Sequence, residues 1–158
     1  MAPLPYLETI VVGAGTIARF GSADQVTRWA VPAATGRLVI TAALAEPDGA
    51  GQRAPSARAE RAGRAWRLSG TKTTVPAGLP AALILVPAAA EHGTAVFCVE
   101  RADPGVTAEP QQLTDGAGPA QLDLCEVELG DDRLLGAADG TVAGWLAARA
   151  TVGICALA

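Results

Sequence analysis

The sequence predicts a mainly β domain, a small sandwich or barrel, with two helices before it and one helix after it. Three observations support this fold class. The chain holds 18 glycines and 11 prolines among its 158 residues, which suits many tight turns. Several short apolar runs lie between those turns, and they have the length of strands. Near both ends of the chain the apolar residues recur at helical spacing instead.

The opening segment predicts two helices joined at a tight corner. Apolar side chains recur at helical spacing through residues 6–19, and Gly21 stands where that helix would end. Ser22 and Gln25 have the spacing of a capping box at the start of a second helix. We expect this second, short helix to stop at Pro32, because proline cannot continue the helical hydrogen bonding.

The middle of the chain predicts strands. They are residues 37–44, a half-exposed hairpin within residues 57–70, the buried runs 81–88 and 93–100, and a last strand over 121–129. In the last strand Leu122 and Leu124 share one face, whereas Cys125, Val127 and Leu129 share the other. This change of phase predicts a β-bulge near Leu124.

The last segment, residues 141–158, predicts a helix that is apolar on every side. It is about long enough to span a bilayer, but Arg149 would lie near its centre at a cost of about 2.5–3.5 kcal/mol. We therefore expect a buried helix and no membrane span. A helix that is apolar all round must be covered on every side. The sequence thus predicts a further helical body, either downstream or in another chain.

The charge and the cysteines limit the classes of function. The net charge is −4 and the bases are scattered, which argues against a nucleic-acid partner. Cys98, Cys125 and Cys155 are widely spaced, so we expect buried, reduced thiols and a cytoplasmic location. The single histidine, His92, lies in a predicted turn and is expected to be solvated. A structural zinc or other metal site is therefore not expected.

Four stretches, taken in order, resemble the acyl-CoA dehydrogenase family, and together they cover nearly the whole chain. They are GSADQVTRWAVPAATGRLVITAALAEPDGAG, WRLSGTKTTVPAG, FCVERADPGV and LDLCEVELGDDRLLG. The resemblance implies a division into residues 1–34, the tail of an N-terminal helical domain; 35–137, a central β-barrel; and 138–158, the first helix of a C-terminal helical domain.

The same resemblance implies a cofactor, a substrate and partners. The cofactor would be FAD, the substrate an acyl-CoA or other acyl thioester, and the partners homologous subunits in a homo- or hetero-oligomer. In this family a glutamate removes the α-proton of the thioester while the β-hydrogen leaves as hydride to the flavin. The barrel would serve to position the flavin and to tune its electronics.

The resemblance also places the flavin contacts in this chain at Leu44, Ala45, Gly51, Thr74 and Pro76. Ala45 stands where the family has a threonine, and Pro76 stands where it has a serine or threonine. Both hydroxyl groups are therefore absent, and Pro76 also lacks an amide proton. We expect weaker flavin binding or a shifted potential.

No catalytic residue is expected within this chain. In some members the glutamate comes just before the arginine of the first C-terminal helix, and here Ala148 holds that position before Arg149. The other position that the family uses lies beyond Ala158. The alternatives to a catalytic FAD-dependent subunit are a non-catalytic partner subunit of a heteromeric acyl-CoA dehydrogenase and a flavin-free β-barrel interaction module.

Three charged side chains remain open to two interpretations each. Glu46 is either a general base or a turn carboxylate that is solvated or bonded to backbone, and we favour the second. Lys72 either meets a phosphate or protects a strand edge from aggregation, and we favour protection. Arg149 lies on an apolar helix face beside Trp145. Because burial without a partner would be costly, we expect it to meet a carboxylate or a phosphate.

Overall fold

The computed structural model describes residues 5–49, 54–112 and 118–157, with side chains up to residue 151. Helix α1 runs as wide π-type turns over Leu7–Ala14 and as an α-helix over Gly15–Phe20. Helix α2 comprises Ala23–Gln25, the π-type turns Val26–Ala30 and Val31–Ala34. The strands are β1 (Ile40–Ala42), β2 (Arg58–Ala62), β3 (Ala65–Val75), β4 (Leu83–Ala90), β5 (Gly93–Glu100), β6 (Val106–Pro110) and β7 (Ala120–Gly130). A 3₁₀ turn (Asp131–Arg133) leads to helix α3 (Thr141–Leu157).

The capping box at the start of α2 is confirmed. The backbone N–H of Gln25 donates to Ser22 Oγ at 3.2 Å, and the backbone N–H of Ser22 donates to Gln25 Oε1 at 2.9 Å. The prediction that Pro32 ends this helix is wrong, because the helix continues to Ala34. Pro32 falls in the first turn of the α-helical segment Val31–Ala34, directly after a wide turn in which the Val31 N–H donates to the carbonyl oxygen of Val26.

The strands form one sheet that curls into a half-barrel, and the predicted fold class is confirmed. In the described residues the sheet order is β1-β4-β2-β3-β7-β6, with β5 paired to the other side of β4. The predicted hairpin is present as β2 and β3. Strand β1 is shorter than predicted. Strand β6 was not predicted: Val106 and Ala108 alternate with Thr107 and Glu109, but the run has only 5 residues, is mostly exposed and ends in Pro110.

A bulge in β7 confirms the prediction made near Leu124. Leu68 of β3 faces Val127 and Gly70 faces Leu124, so that one residue of β3 stands opposite Cys125 and Glu126. The expected burial of Cys125 is wrong. Cys125 and Glu126 form the bulge and are exposed. Leu122, Leu124, Val127 and Leu129 therefore all point inward.

Burial of the other cysteine is confirmed. Cys98 is buried on β5, and its burial raises the pKa of the thiol to about 12. Both Cys98 and Cys125 are free thiols. Cys155 lies outside the side chains that the structure describes.

Two apolar clusters lie on either side of the sheet and explain why β4 and β5 are buried on both faces. Ile84 and Phe97 point into the half-barrel, whereas Leu83, Leu85 and Cys98 point toward the helices. The helices are thereby fixed against the outer face of β1, β4 and β5. This packing places α1 beside the end of β1, where the pocket described below is found.

Helix α3 follows the prediction in position. Val142, Ala143 and Leu146 are buried, whereas Gly144 and Ala148 are exposed. Within the described ranges, no helix has the length and the apolar character needed to cross a bilayer.

Candidate functional site

A pocket of about 220 Å³ lies between the helices and the open edge of the half-barrel. Its lining residues come from α1, from β1 and the segment after it, from the end of β3 and from α3. They are Leu7, Glu8, Val12, Thr41, Ala42, Leu44, Ala45, Thr74, Pro76 and Ala150. Four of the five predicted flavin contacts therefore lie at one pocket. The fifth, Gly51, lies outside the described residues.

Larger grooves are present elsewhere on the described surface, with volumes of about 800 and 720 Å³. The first is lined by residues such as Arg28 and Trp29, and the second by residues such as Arg58 and His92. Neither groove contains a residue of the predicted site. The pocket beside Thr74 is therefore the place where the sequence-based expectation and the geometry coincide.

The end of β3 is bent toward this pocket by a second bulge. Lys72 faces Leu122 and Val75 faces Ala120, so β3 carries one extra residue here. Thr74 has a φ of 47°, which is uncommon for a β-branched side chain and costs about 1–3 kcal/mol.

The side chain of Gln111 holds this bend in place. Its Oε1 accepts from the Thr74 N–H at 2.7 Å, and its Nε2 donates to Thr73 Oγ1 at 2.9 Å. The bend turns the Thr74 side chain to the pocket wall, while the Thr74 amide is already occupied by Gln111.

The polar groups of the pocket are few, and several are already used. Thr41 Oγ1 donates to the carbonyl oxygen of Pro76 at 2.5 Å. The Thr73 N–H donates to the carbonyl oxygen of Ala45 at 2.9 Å. Neither Ala45 nor Pro76 has a side-chain donor. The hydroxyl of Thr74 is therefore the side-chain donor that these predicted contact positions retain.

Just behind the pocket wall lies an ion pair that was not predicted. Lys72 Nζ donates to Glu46 Oε1 at 2.6 Å, and the two side chains are 1% and 0% exposed. The interpretation of Lys72 as protection of a strand edge is wrong, because its side chain is buried in this ion pair and does not lie along an exposed edge. Lys72 follows Leu68 by four residues, so the period of two along a strand places both on the inward face. That alternation was the available signal.

Glu46 has the expected bonds to backbone, but it is buried rather than solvated. Its Oε2 accepts from the Ser56 N–H at 2.6 Å and from Ser56 Oγ at 2.8 Å, and its Oε1 also accepts from the Ala57 N–H at 3.1 Å. Burial by itself would raise the pKa of Glu46, but the hydrogen bonds from Lys72, Ser56 and Ala57 outweigh it and lower the pKa to about 2. Burial also lowers the pKa of Lys72, and the contact with Glu46 offsets part of that effect. Glu46 is thus a carboxylate fully engaged in structure, which does not suit a general base.

Arg149 stacks on an aromatic ring. Its guanidinium carbon lies 4.5 Å from the ring centre of Trp145, and that of Arg19 lies 4.2 Å from the same ring. Among the described residues, no carboxylate lies within salt-bridge distance of Arg149. The cation–π contact accounts for its place beside Trp145.

The position that could hold the family's glutamate faces another groove. Ala148 lines a groove of about 420 Å³ together with Gly144 and Thr94, and this groove is separate from the pocket beside Thr74. A methyl group cannot accept a proton, so Ala148 offers no base.

Comparison with known proteins places this geometry in a family. No protein-family model matches the chain. The curated acyl-CoA dehydrogenase FadE27 of Mycobacterium tuberculosis is 38% identical over 152 residues, which are 96% of this chain and 39% of that protein. The ChsE4-ChsE5 complex of Mycobacterium tuberculosis matches with a TM-score of 0.88 at 36% identity, over 96% of this chain and 40% of that one. A glutaryl-CoA dehydrogenase of Mycobacterium smegmatis in complex with FADH2 matches with a TM-score of 0.86 at 27% identity, over 94% of this chain and 40% of that one.

The half-barrel, its flanking helices and these likenesses define a module of the acyl-CoA dehydrogenase type. The chain belongs to the acyl-CoA dehydrogenase family. It spans about two fifths of the length of the relatives that it matches.

Proposed function

We propose that this chain is part of a subunit of an FAD-dependent acyl-CoA dehydrogenase that acts on an acyl thioester, with the pocket beside Thr74 as its flavin-facing site. The observation that carries the proposal is the meeting of Leu44, Ala45, Thr74 and Pro76 at one pocket. The relative of known structure in complex with FADH2 shares the fold over nearly the whole chain. We divide the chain into the tail of an N-terminal helical domain (1–34), a central β-barrel (35–137) and the first helix of a C-terminal helical domain (138–158). The free thiols of Cys98 and Cys125 agree with a location in the cytoplasm.

The residues of the pocket fit the apolar faces of a flavin ring. Leu44, Ala45 and Pro76 offer apolar contact, and Thr74 offers a hydroxyl group. The pocket is smaller than the roughly 300–1,000 Å³ of a complete ligand site, so it would take the ring and leave the rest of FAD outside. The donors are fewer than the resemblance implies. Each missing hydrogen bond should weaken binding by about 0.5–1.5 kcal/mol.

The chain's own contribution to the reaction would be to hold the ring and to exclude water. A bound flavin supplies the acceptor for the hydride that leaves the acyl chain. Among the described residues that line the pocket, Glu8 on α1 carries the one carboxylate, and it is not a position at which the resemblance places the family's glutamate. Glu46, behind the pocket wall, is engaged with Lys72, and Ala148, at a separate groove, ends in a methyl group. The α-proton would go to a carboxylate outside the described residues of this chain.

A second candidate is a non-catalytic partner subunit of a heteromeric acyl-CoA dehydrogenase. Ala45, Pro76 and Ala148 all lack a polar group that the family can use at that position. A similar solved structure is a complex of two named chains, ChsE4 and ChsE5. In this candidate the unlike subunit would supply the catalytic carboxylate.

A flavin titration separates the two candidates. The purified chain is titrated with FAD and followed by flavin fluorescence and visible absorbance, alongside the variants Ala45→Thr and Pro76→Ser. The first candidate predicts that the chain binds FAD and that each restored hydroxyl tightens binding about 2- to 10-fold. Ala137→Thr, which adds a hydroxyl on an exposed loop, is the matched control and should change nothing.

Absence of binding in the unmodified chain, with binding in the Ala45→Thr/Pro76→Ser variant, would favour the partner subunit. Absence of binding in both would overturn the flavin site and favour the flavin-free module. A chain that binds FAD is then given an acyl-CoA. Because the base is expected outside this chain, the chain alone should not bleach. Bleaching in a longer chain that includes the C-terminal helical domain supports catalysis, and bleaching that requires an added homologous subunit supports the partner role.

A further inference from the structure

The two walls of the pocket come from strands that do not pair. The first wall is residues 44–45, which follow β1, and the second wall is residues 74–76, at the end of β3. Strand β1 pairs with β4, whereas β3 pairs with β2 and β7. In the described residues the backbone bridge beside the walls is a single one, from Ala45 to Thr73, which directly precedes the second wall. The hydroxyl of Thr41 on β1 also donates to the carbonyl oxygen of Pro76. A ladder of strand hydrogen bonds therefore does not set the distance between the walls.

A buried ion pair spans the same gap. Glu46 directly follows the first wall, and Lys72 lies two residues before the second wall. Their side chains meet at 2.6 Å with almost no exposure to solvent. Because neither charge can turn to water, the two groups are confined to each other.

The carboxylate of Glu46 is filled on both oxygens. Oε1 is held by Lys72 and the Ala57 N–H, and Oε2 is held by the N–H and hydroxyl of Ser56. Glu46 therefore ties the first wall both to β3 and to the segment that leads into β2. Displacing one wall relative to the other would stretch several hydrogen bonds at once.

We propose that Glu46 and Lys72 are positioning residues whose buried contact sets the separation of the first and second walls, and so decides whether a flat aromatic ring can enter between them. That the ring belongs to a flavin rests on the proposed function. The separation of the walls does not depend on it, and it can be measured without any ligand.

The test compares Lys72→Met, the double variant Glu46→Gln/Lys72→Met and the control Arg67→Met. Arg67 lies on the same strand with an exposed partner, Glu128, at 3.5 Å. Amide hydrogen exchange is measured at Thr73, which bridges the walls, under conditions where each variant is folded. FAD affinity and Tm are measured on the same samples.

Loss of the contact should speed exchange at Thr73 and weaken FAD binding by about tenfold or more in Lys72→Met. The double variant removes the unpaired charge, so it should recover Tm without recovering either of these two properties. Arg67→Met should leave all three unchanged. Recovery of Tm without recovery of the pocket is the result that a purely structural role does not predict.

Unchanged exchange at Thr73 in both Lys72 variants would overturn the proposal, and so would a double variant in which exchange and Tm recover together. If Lys72→Met does not fold, the double variant decides. If the unmodified chain binds no FAD, the flavin site of the proposed function is lost, while the exchange rates still decide the positioning role.

Discussion

The two halves of strand β3 follow different rules. In the first half, residues 65–68, Trp66 and Leu68 point inward and Arg67 points outward. Up to the bulge at Cys125 and Glu126, this half pairs in regular register with β2 and β7. In the second half, a lysine points inward, a bulge adds a residue, and Thr74 takes a left-handed backbone conformation. The half that obeys strand periodicity builds the core, and the half that breaks the backbone regularity lines the pocket.

The difference lies in where each half finds its partners. The regular half is stabilised by the burial of every second side chain, and this alternation is visible in its own residues. The irregular half depends on Glu46 and Gln111, which belong to distant parts of the chain. Departures from local rules of this kind are expected at functional sites.

The largest effect should come from Lys72. Lys72→Met leaves Glu46 as a buried, uncompensated charge and should lower the free energy of unfolding by about 3–5 kcal/mol. Urea denaturation followed by circular dichroism measures it. Arg67→Met, on the regular half, removes only exposed ion pairs and should change stability by less than about 1 kcal/mol. Equal effects from the two variants would remove the distinction between the halves.

Leu68 tests the regular half by another route. Leu68 is fully buried in the half-barrel, so Leu68→Ala should lower the free energy of unfolding by about 2–5 kcal/mol through lost burial and a cavity. Binding of FAD at temperatures where the variant is folded should stay as in the unmodified chain. A selective loss of FAD affinity in this variant would show that the two halves are not separable.

Acid should weaken the chain through Glu46. The pKa of Glu46 in the folded chain is about 2, below its ordinary value of 4.5. As the pH falls, Glu46 of the unfolded chain takes up a proton near its ordinary pKa, whereas Glu46 of the folded chain keeps its charge to lower pH. The stabilisation is therefore fully present above the ordinary pKa and is lost as the pH falls through the pKa of the folded chain. The loss between about pH 5 and pH 2 should be of order 3 kcal/mol. Thermal melts of the unmodified chain and of Glu46→Gln across this pH range measure the loss. If Tm falls with pH as steeply in Glu46→Gln as in the unmodified chain, Glu46 is not the source.

The smallest effect should come from Thr74. Thr74→Gly removes a β-branched side chain from a positive φ and should raise stability by up to about 1 kcal/mol. Thr107→Gly in strand β6 is the matched control, and it should lower stability by about 0.5–1 kcal/mol. If both glycine variants are destabilised alike, the bend at Thr74 carries no strain.

Local patterns were sufficient for much of the fold. The Ser22–Gln25 capping box, the β2–β3 hairpin and the bulge near Leu124 each follow from residues within a few positions of one another. Strand β6 was missed because its alternation covers only 5 residues, which are mostly exposed and end in Pro110. The end of α2 was misjudged because the wider turns before Pro32 let the helix continue.

The site was less accessible to such patterns. Resemblance to a family named four positions that the fold brings to one pocket, but the Glu46–Lys72 contact joins residues 26 positions apart. Alternation along β3 could have shown that Lys72 points inward. Nothing in the neighbourhood of Lys72 identifies Glu46 as its partner, because that meeting is a product of the folded sheet.

The most direct test of the account is to map FAD onto the chain by amide chemical shifts in NMR. The largest changes should fall at Leu44, Ala45 and Thr74, where the irregular half of β3 meets the segment after β1, while Arg67 on the regular half should stay unshifted. Changes centred on the groove beside Arg28 and Trp29, with none at Thr74, would contradict it.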